Sequence, residues 1–191
     1  EYTPNEKSKM LALGHSRFCL ALEAGTRFAD TRDTTIYSIA IQHLESAANY
    51  YLKADFQSAS EYAKATGLLF DAYMHMDNAA KEKDPEKKAR LYMMAERVLQ
   101  TSAGSYLKAK HPEKEQLVQK LLEKVKEKRE LALTLTEVLH APPIHSTIAF
   151  PAPTPTYEKA VGLEEFEHAD IQAIIKTSSE ELTVDENLDL G

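Results

Sequence analysis

This sequence predicts a mainly α fold: an antiparallel bundle or short α-solenoid of about five long helices. A Pro-rich extended connector and a small C-terminal β element follow. Three observations predict it. Of 191 residues only six are Gly and none is Trp, while Ala, Glu, Lys and Leu abound, a balance that favours helix. Apolar side chains recur at three- and four-residue steps through most of residues 1–140. One helical stretch also occurs twice, 55 residues apart.

The first helix is expected over residues 8–30, where Leu11, Phe18, Leu22 and Ala29 form a stripe with His15 and Gly25 in the same row. The second runs from Thr34 to Ala54, with Asp33 as N-cap and Tyr37, Ala40, Leu44, Ala47, Ala48, Tyr51 and Leu52 on one face. The third runs from Ser58 to Lys83. Ser58 and Glu61 have capping-box spacing, Tyr62, Ala65, Leu69, Ala72, Tyr73 and Met76 share a face, and Gly67 marks close packing. Asp84-Pro85-Glu86 opens the fourth helix, to about Lys110, as an N-cap, a Pro at the first helical position and an acid at the positive helix end. His111-Pro112-Glu113 repeats the device for a fifth helix to His140, with Leu117, Leu121, Val125, Leu131, Leu135 and Val138 as its apolar positions. Connections of a few residues make consecutive helices antiparallel neighbours.

Residues 1–140 therefore read as a helical-hairpin repeat domain. Residues 141–160 hold Pro142, Pro143, Pro151, Pro153 and Pro155 and read as a polyproline-like connector. Residues 161–191 read as a truncated β element with short strands at 171–175 and 181–184. The chain opens on Glu1 rather than Met and ends inside a strand-like stretch, so a piece of a larger multidomain protein is expected.

The repeat is explicit. YSIAIQHLESAANYYLKA (37–54) aligns without gaps on YMMAERVLQTSAGSYLKA (92–109). Eight of eighteen positions are identical: Tyr37/Tyr92, Ala40/Ala95, Leu44/Leu99, Ala48/Ala103, Tyr51/Tyr106, Leu52/Leu107, Lys53/Lys108 and Ala54/Ala109. The Tyr, Ala, Leu, Ala and Tyr matches fall on one helical face, where small Ala positions admit a neighbouring helix and Tyr fills the groove edge. The repeat unit is read as helices two and three, then four and five, after one unmatched helix.

The Ala-Ala-Asn-Tyr-Tyr-Leu-Lys-Ala run, followed by Phe56, Ala59, Tyr62 and Ala63, resembles the packing pattern of tetratricopeptide and microtubule-interacting-and-transport helices. The period is longer than the tetratricopeptide norm of about 34 residues, and the Trp-Leu-Gly part of that pattern is absent. The resemblance implies protein–protein binding through helix grooves. Residues 179–190 (SEELTVDENLDL) resemble the opening strands of a CARDB-type or immunoglobulin-like module.

Charge and chemistry narrow the function classes. A net charge of -7 argues against nucleic acid as the main partner. Lys81, Lys83, Lys87, Lys88 and Arg90 cluster, but Glu82, Asp84 and Glu86 interleave with them, so the cluster reads as a solvated junction. No apolar run reaches membrane-spanning length. The single Cys19 reads as a buried small hydrophobe in a reducing, cytoplasmic setting. Asp71 and His75 lie one turn apart without a second His or Cys pair, so an ordinary ion pair is preferred over a metal site. No nucleophile, P-loop, dinucleotide or zinc-protease motif occurs, and neither cofactor nor metal is expected. Met74, Met76, Met93 and Met94 read as filling between helices three and four rather than as an adaptable surface.

The expected function is a non-catalytic protein–protein interaction or scaffold module. Tyr37, Tyr51, Tyr92, Tyr106, Tyr73 and Met76 form its candidate interaction or packing face. The alternative is a ligand-sensing or enzymatic helical domain with a polar pocket built on His15, Glu23, Arg27 and Asp71.

Overall fold

The computed structural model describes residues 2–31 and 33–140, and these form five helices. They are α1 (Pro4–Thr31), α2 (Thr34–Lys53), α3 (Gln57–Lys81), α4 (Pro85–Lys108) and α5 (Pro112–His140). The expected connector and β element lie outside the described residues. At 1.5 Å per residue the helices are about 30–44 Å long.

Helix α1 starts four residues before the expected Ser8 because Thr3-Pro4-Asn5-Glu6 is a capping box. The Thr3 N–H and hydroxyl donate to Glu6 Oε2 at 2.7 and 2.8 Å, and the Glu6 N–H donates to Thr3 Oγ1 at 3.4 Å. The backbone hydrogen bond from Thr3, then the hydroxyl, hold the Glu6 carboxyl below its ordinary range. Asp33 caps α2 by accepting from the Thr35 N–H at 2.9 Å, and Asp84 caps α4 by accepting from the Glu86 and Lys87 N–H groups. Ser58 does not cap α3. Phe56 holds the N-cap position without a side-chain hydrogen bond, and the Ser58 hydroxyl donates instead to the Ala109 carbonyl at 2.7 Å.

Two chain reversals are copies of one another. After α2, the Asp55 N–H donates to Leu52 O and the Phe56 N–H to Tyr51 O. After α4, the Lys110 N–H donates to Leu107 O and the His111 N–H to Tyr106 O. Both are Schellman motifs, with Asp55 at φ 62° and Lys110 at φ 66° in the left-handed position.

The helices pack in series, each chiefly against its neighbours in sequence. Six of the eight repeat identities are core: Tyr37/Tyr92, Ala40/Ala95, Leu44/Leu99, Ala48/Ala103, Tyr51/Tyr106 and Ala54/Ala109 are all buried. The phenol of Tyr51 meets His15 Nδ1 in α1 at 3.0 Å, and that of Tyr106 meets the Thr66 hydroxyl in α3 at 3.0 Å. Small hydroxyls also join neighbours: Ser60 donates to Ala48 O at 2.9 Å and Ser102 to Ala65 O at 2.8 Å.

These contacts extend the repeat to α1, which the sequence left unmatched. His15 and Thr66 are 51 residues apart, as are the N-caps Asp33 and Asp84, while the matched faces are 55 apart. The α1–α2 pair thus parallels α3–α4, with α4 at 24 residues against 20 for α2. One extra helical turn lies between the α4 cap and its repeated face.

Other expectations shift. Cys19 is exposed: Phe18 turns into the core, and the next helical position points about 100° away. Of the apolar positions expected in α5, Leu121 and Val125 are buried, whereas Leu117, Leu131, Leu135 and Val138 are exposed, and Val118, Leu122 and Ala132 complete the buried side. Among the described helices, α5 has an extensive neighbour on one side only, α4, so the outer part of its apolar pattern packs on none of them. At Gly67 an added Cβ would sit at ordinary contact with Leu44, 3.5 Å away. The tight approach is at Gly14, where an added Cβ would lie 2.7 Å from the Tyr51 ring.

Candidate interaction surface

All six residues of the candidate face are buried. Tyr37 packs between Phe28 of α1 and Phe70 of α3, and Tyr51 sits edge-on to His15. Tyr106 packs edge-on to Tyr62, which also touches Phe18. Tyr73 and Met76 lie in the same core, with Tyr92, whose phenol is pushed up by burial. These side chains hold the helices together, so a surface offered to a partner has to be built from other residues.

The remaining two identities of the repeat are different in kind. Leu52 is 47% exposed and Leu107 is 62% exposed, each followed by an exposed lysine, Lys53 and Lys108. Both Leu-Lys pairs end their helices, immediately before the two matching Schellman turns. The array places these turns at one end of the molecule. Lys7, near the start of α1, pairs with Asp55 after α2, and Ser58, at the start of α3, bonds Ala109 after α4. Half-exposed Phe56 and His111 stand at equivalent places in the two turns.

A lysine in the last turn has a local reason, the negative end of the helix dipole. An exposed leucine there has a weaker one, because Leu52 keeps about half of its surface in water and Leu107 more than half. Ile39 and Met94, also 55 residues apart, are a second matched apolar pair, exposed at 48% and 45%. The sequence did signal these positions, since they lie inside the aligned repeat. It did not separate repeated core from repeated surface, because Leu52 stands four residues after buried Ala48 and shares its row.

The residues of the alternative pocket take separate places. His15 bonds Tyr51, Asp71 pairs with His75 at 3.7 Å within α3, and Glu23 and Arg27 are exposed on α1. Among the described residues no three or more His, Cys, Asp or Glu side chains come together as a metal site. No described helix is long and apolar enough to cross a membrane. Of the four methionines, Met76 is buried, Met74 and Met93 are half-buried, and Met94 is exposed. The basic cluster is laced by its own acids: Lys81 pairs with Asp77, Lys87 with Asp84 and Arg90 with Glu86.

No protein-family model, curated protein or solved structure matches this chain.

Proposed function

We propose that this chain is a non-catalytic protein–protein interaction or scaffold module that binds its partner through the twin Leu-Lys ends of α2 and α4. One observation carries the reading. Two exposed Leu-Lys pairs recur at the same place in two copies of the repeat, where about half of the Leu52 surface and more of the Leu107 surface stays in water. A duplicated apolar knob beside a cation suits a protein surface with apolar hollows and carboxylates, and two equivalent knobs raise affinity by acting together. Helical arrays of the tetratricopeptide kind, which the repeat resembles, serve this purpose. The exposed Cys19 thiol fits a reducing compartment such as the cytoplasm.

The test is affinity capture from cells of the source organism with the full chain and with its Leu52→Ser/Leu107→Ser variant. Circular dichroism establishes that the variant keeps its helices. The expected result is a defined partner retained by the native chain and lost by the variant. An unchanged set of partners would remove the Leu-Lys ends as the binding surface. Absence of any protein above a matched helical control would remove the interaction reading itself.

A further inference from the structure

The charges around the twin Leu-Lys ends narrow the chemistry of what can dock there. Three exposed lysines stand at this end of the array: Lys53 after Leu52, Lys108 after Leu107, and Lys110 in the turn after α4. Among the described residues no carboxylate pairs with any of them, and Lys53 only leans over the Tyr50 ring, 5.8 Å away. The carboxylates nearby are already engaged. Asp55 pairs with Lys7 at 2.5 Å, Glu6 caps α1 through Thr3, Glu61 pairs with Lys64 at 3.0 Å and Glu113 meets His111 at 3.0 Å. The first turn of α3, between the two Leu-Lys ends, carries no acid. Apolar knobs are thus left beside cations whose charge the neighbouring side chains do not meet.

Lys110 adds a second sign. It holds the left-handed position at φ 66°, where glycine would cost less. Its counterpart Asp55 holds the same conformation at φ 62° and spends its side chain on Lys7. The Lys110 ammonium has no such ion pair among the described residues, so a cation kept on an unfavourable backbone points to a contact outside the chain.

The spacing of the knobs sets the form of the ligand. Helix α3 packs against both α2 and α4. Packed helix axes stand about 8–10 Å apart, so Leu52 and Leu107 are separated by up to about 20 Å. An extended chain covers that distance in about six residues, at about 3.3–3.6 Å each. A helix needs about 13 residues, at about 1.5 Å each. The extended form orders the fewest residues and loses the least conformational entropy.

We propose, resting on the Leu-Lys surface described above, that the partner offers it a short extended acidic peptide. One apolar side chain packs on Leu52 and another on Leu107, with carboxylates against Lys53, Lys108 and Lys110. Such contacts are weak singly and act together because one short segment carries them all.

The test selects random dodecamers displayed on phage against the immobilised full chain, then titrates an enriched peptide by fluorescence anisotropy. The expected peptides carry an excess of carboxylates and two apolar residues about six apart. Exposed ion pairs are each worth up to about fivefold, so Lys53→Glu/Lys108→Glu/Lys110→Glu is expected to weaken binding at least about tenfold and to select basic peptides instead. Lys110→Gly relieves the backbone, so it is expected to weaken the same peptide about two- to fivefold while the protein becomes more stable, a combination that misfolding cannot produce. Enrichment of neutral or basic peptides, or binding that ignores the lysine variants, would overturn the acidic ligand. If Leu52→Ser/Leu107→Ser still abolished that binding, the Leu-Lys surface itself would stand. Acidic peptides that bind the leucine variant unchanged would remove both. No enriched peptide at all would also overturn the proposal, and a protein still captured from cells through the two leucines would then be a folded partner.

Discussion

Replacing Gly14 with Ala tests the packing of α1 on α2 at its narrowest point. The new methyl group would lie 2.7 and 2.8 Å from two carbons of the Tyr51 ring and 3.2 Å from a third. Carbon atoms sit comfortably at about 3.5–4.0 Å, so the ring or the helix must move by close to 1 Å. Tyr51 has little room, being 2% exposed with its phenol tied to His15. Overpacking of this kind costs about 1–3 kcal/mol, and displacing the ring also puts a hydrogen bond of about 1 kcal/mol at risk. Ala in place of Gly returns about 1 kcal/mol of helix propensity. The net expectation is a loss of about 1–3 kcal/mol, a fall in Tm of about 3–10 °C for a chain of this size. Gly104→Ala is the internal control. Nothing lies within 4 Å of its added Cβ, so propensity acts alone and Tm rises by about 1–4 °C. Thermal unfolding followed by circular dichroism measures both. If Gly14→Ala stabilises the protein as Gly104→Ala does, the close approach of Tyr51 to α1 is wrong.

Other positions give equally definite outcomes. Tyr106→Phe removes the phenol that meets Thr66 and is expected to cost about 1 kcal/mol in denaturant unfolding, with helix content unchanged. Lys110→Gly relieves a side chain held at φ 66° and is expected to raise stability by about 1 kcal/mol; a loss would mean the left-handed turn after α4 is wrong. The Thr35 hydroxyl, then its N–H, hold the Asp33 carboxyl below its ordinary range. A depressed folded pKa gives stability that is present above the unfolded value and is lost as pH falls through the folded one. Asp33→Asn keeps a cap without a titrating group, so its stability difference from the native chain should shrink below about pH 4, seen in acid titrations by circular dichroism.

Much of the helical part was legible because its signals are local. Asp33 and Asp84 announce helix starts, and the Tyr/Ala/Leu row of α2 and α4 announces a buried face by its spacing alone. What was not legible depends on neighbours. Periodicity says that Leu131 and Leu135 share a row, but not that this row faces away from α4. Cys19 sits between apolar residues in sequence, yet Phe18 facing inward turns it outward. Gly14 and Gly104 are alike as letters; only the Tyr51 ring separates a glycine that packing requires from one that it does not. The unmatched first helix was hidden for a related reason. Its likeness to α3 survives in contacts, His15 to Tyr51 and Thr66 to Tyr106, and hardly in residue identity. The one-turn difference between α2 and α4 shifts its spacing from 55 to 51.

Serial packing has a consequence in time. Because extensive contacts join only consecutive helices, none of the described helices waits for a distant one before most of its partners exist. Contacts between near neighbours in sequence are reached quickly, and synthesis delivers a chain from its N-terminus at about 5–20 residues per second. The α1–α2 pair, joined by His15 and Tyr51, can close while α4 is still being made, and each later helix docks on a surface already in place. Assembly order then follows the order of translation, and α5, delivered last of the five, covers α4 when the other interfaces have already closed.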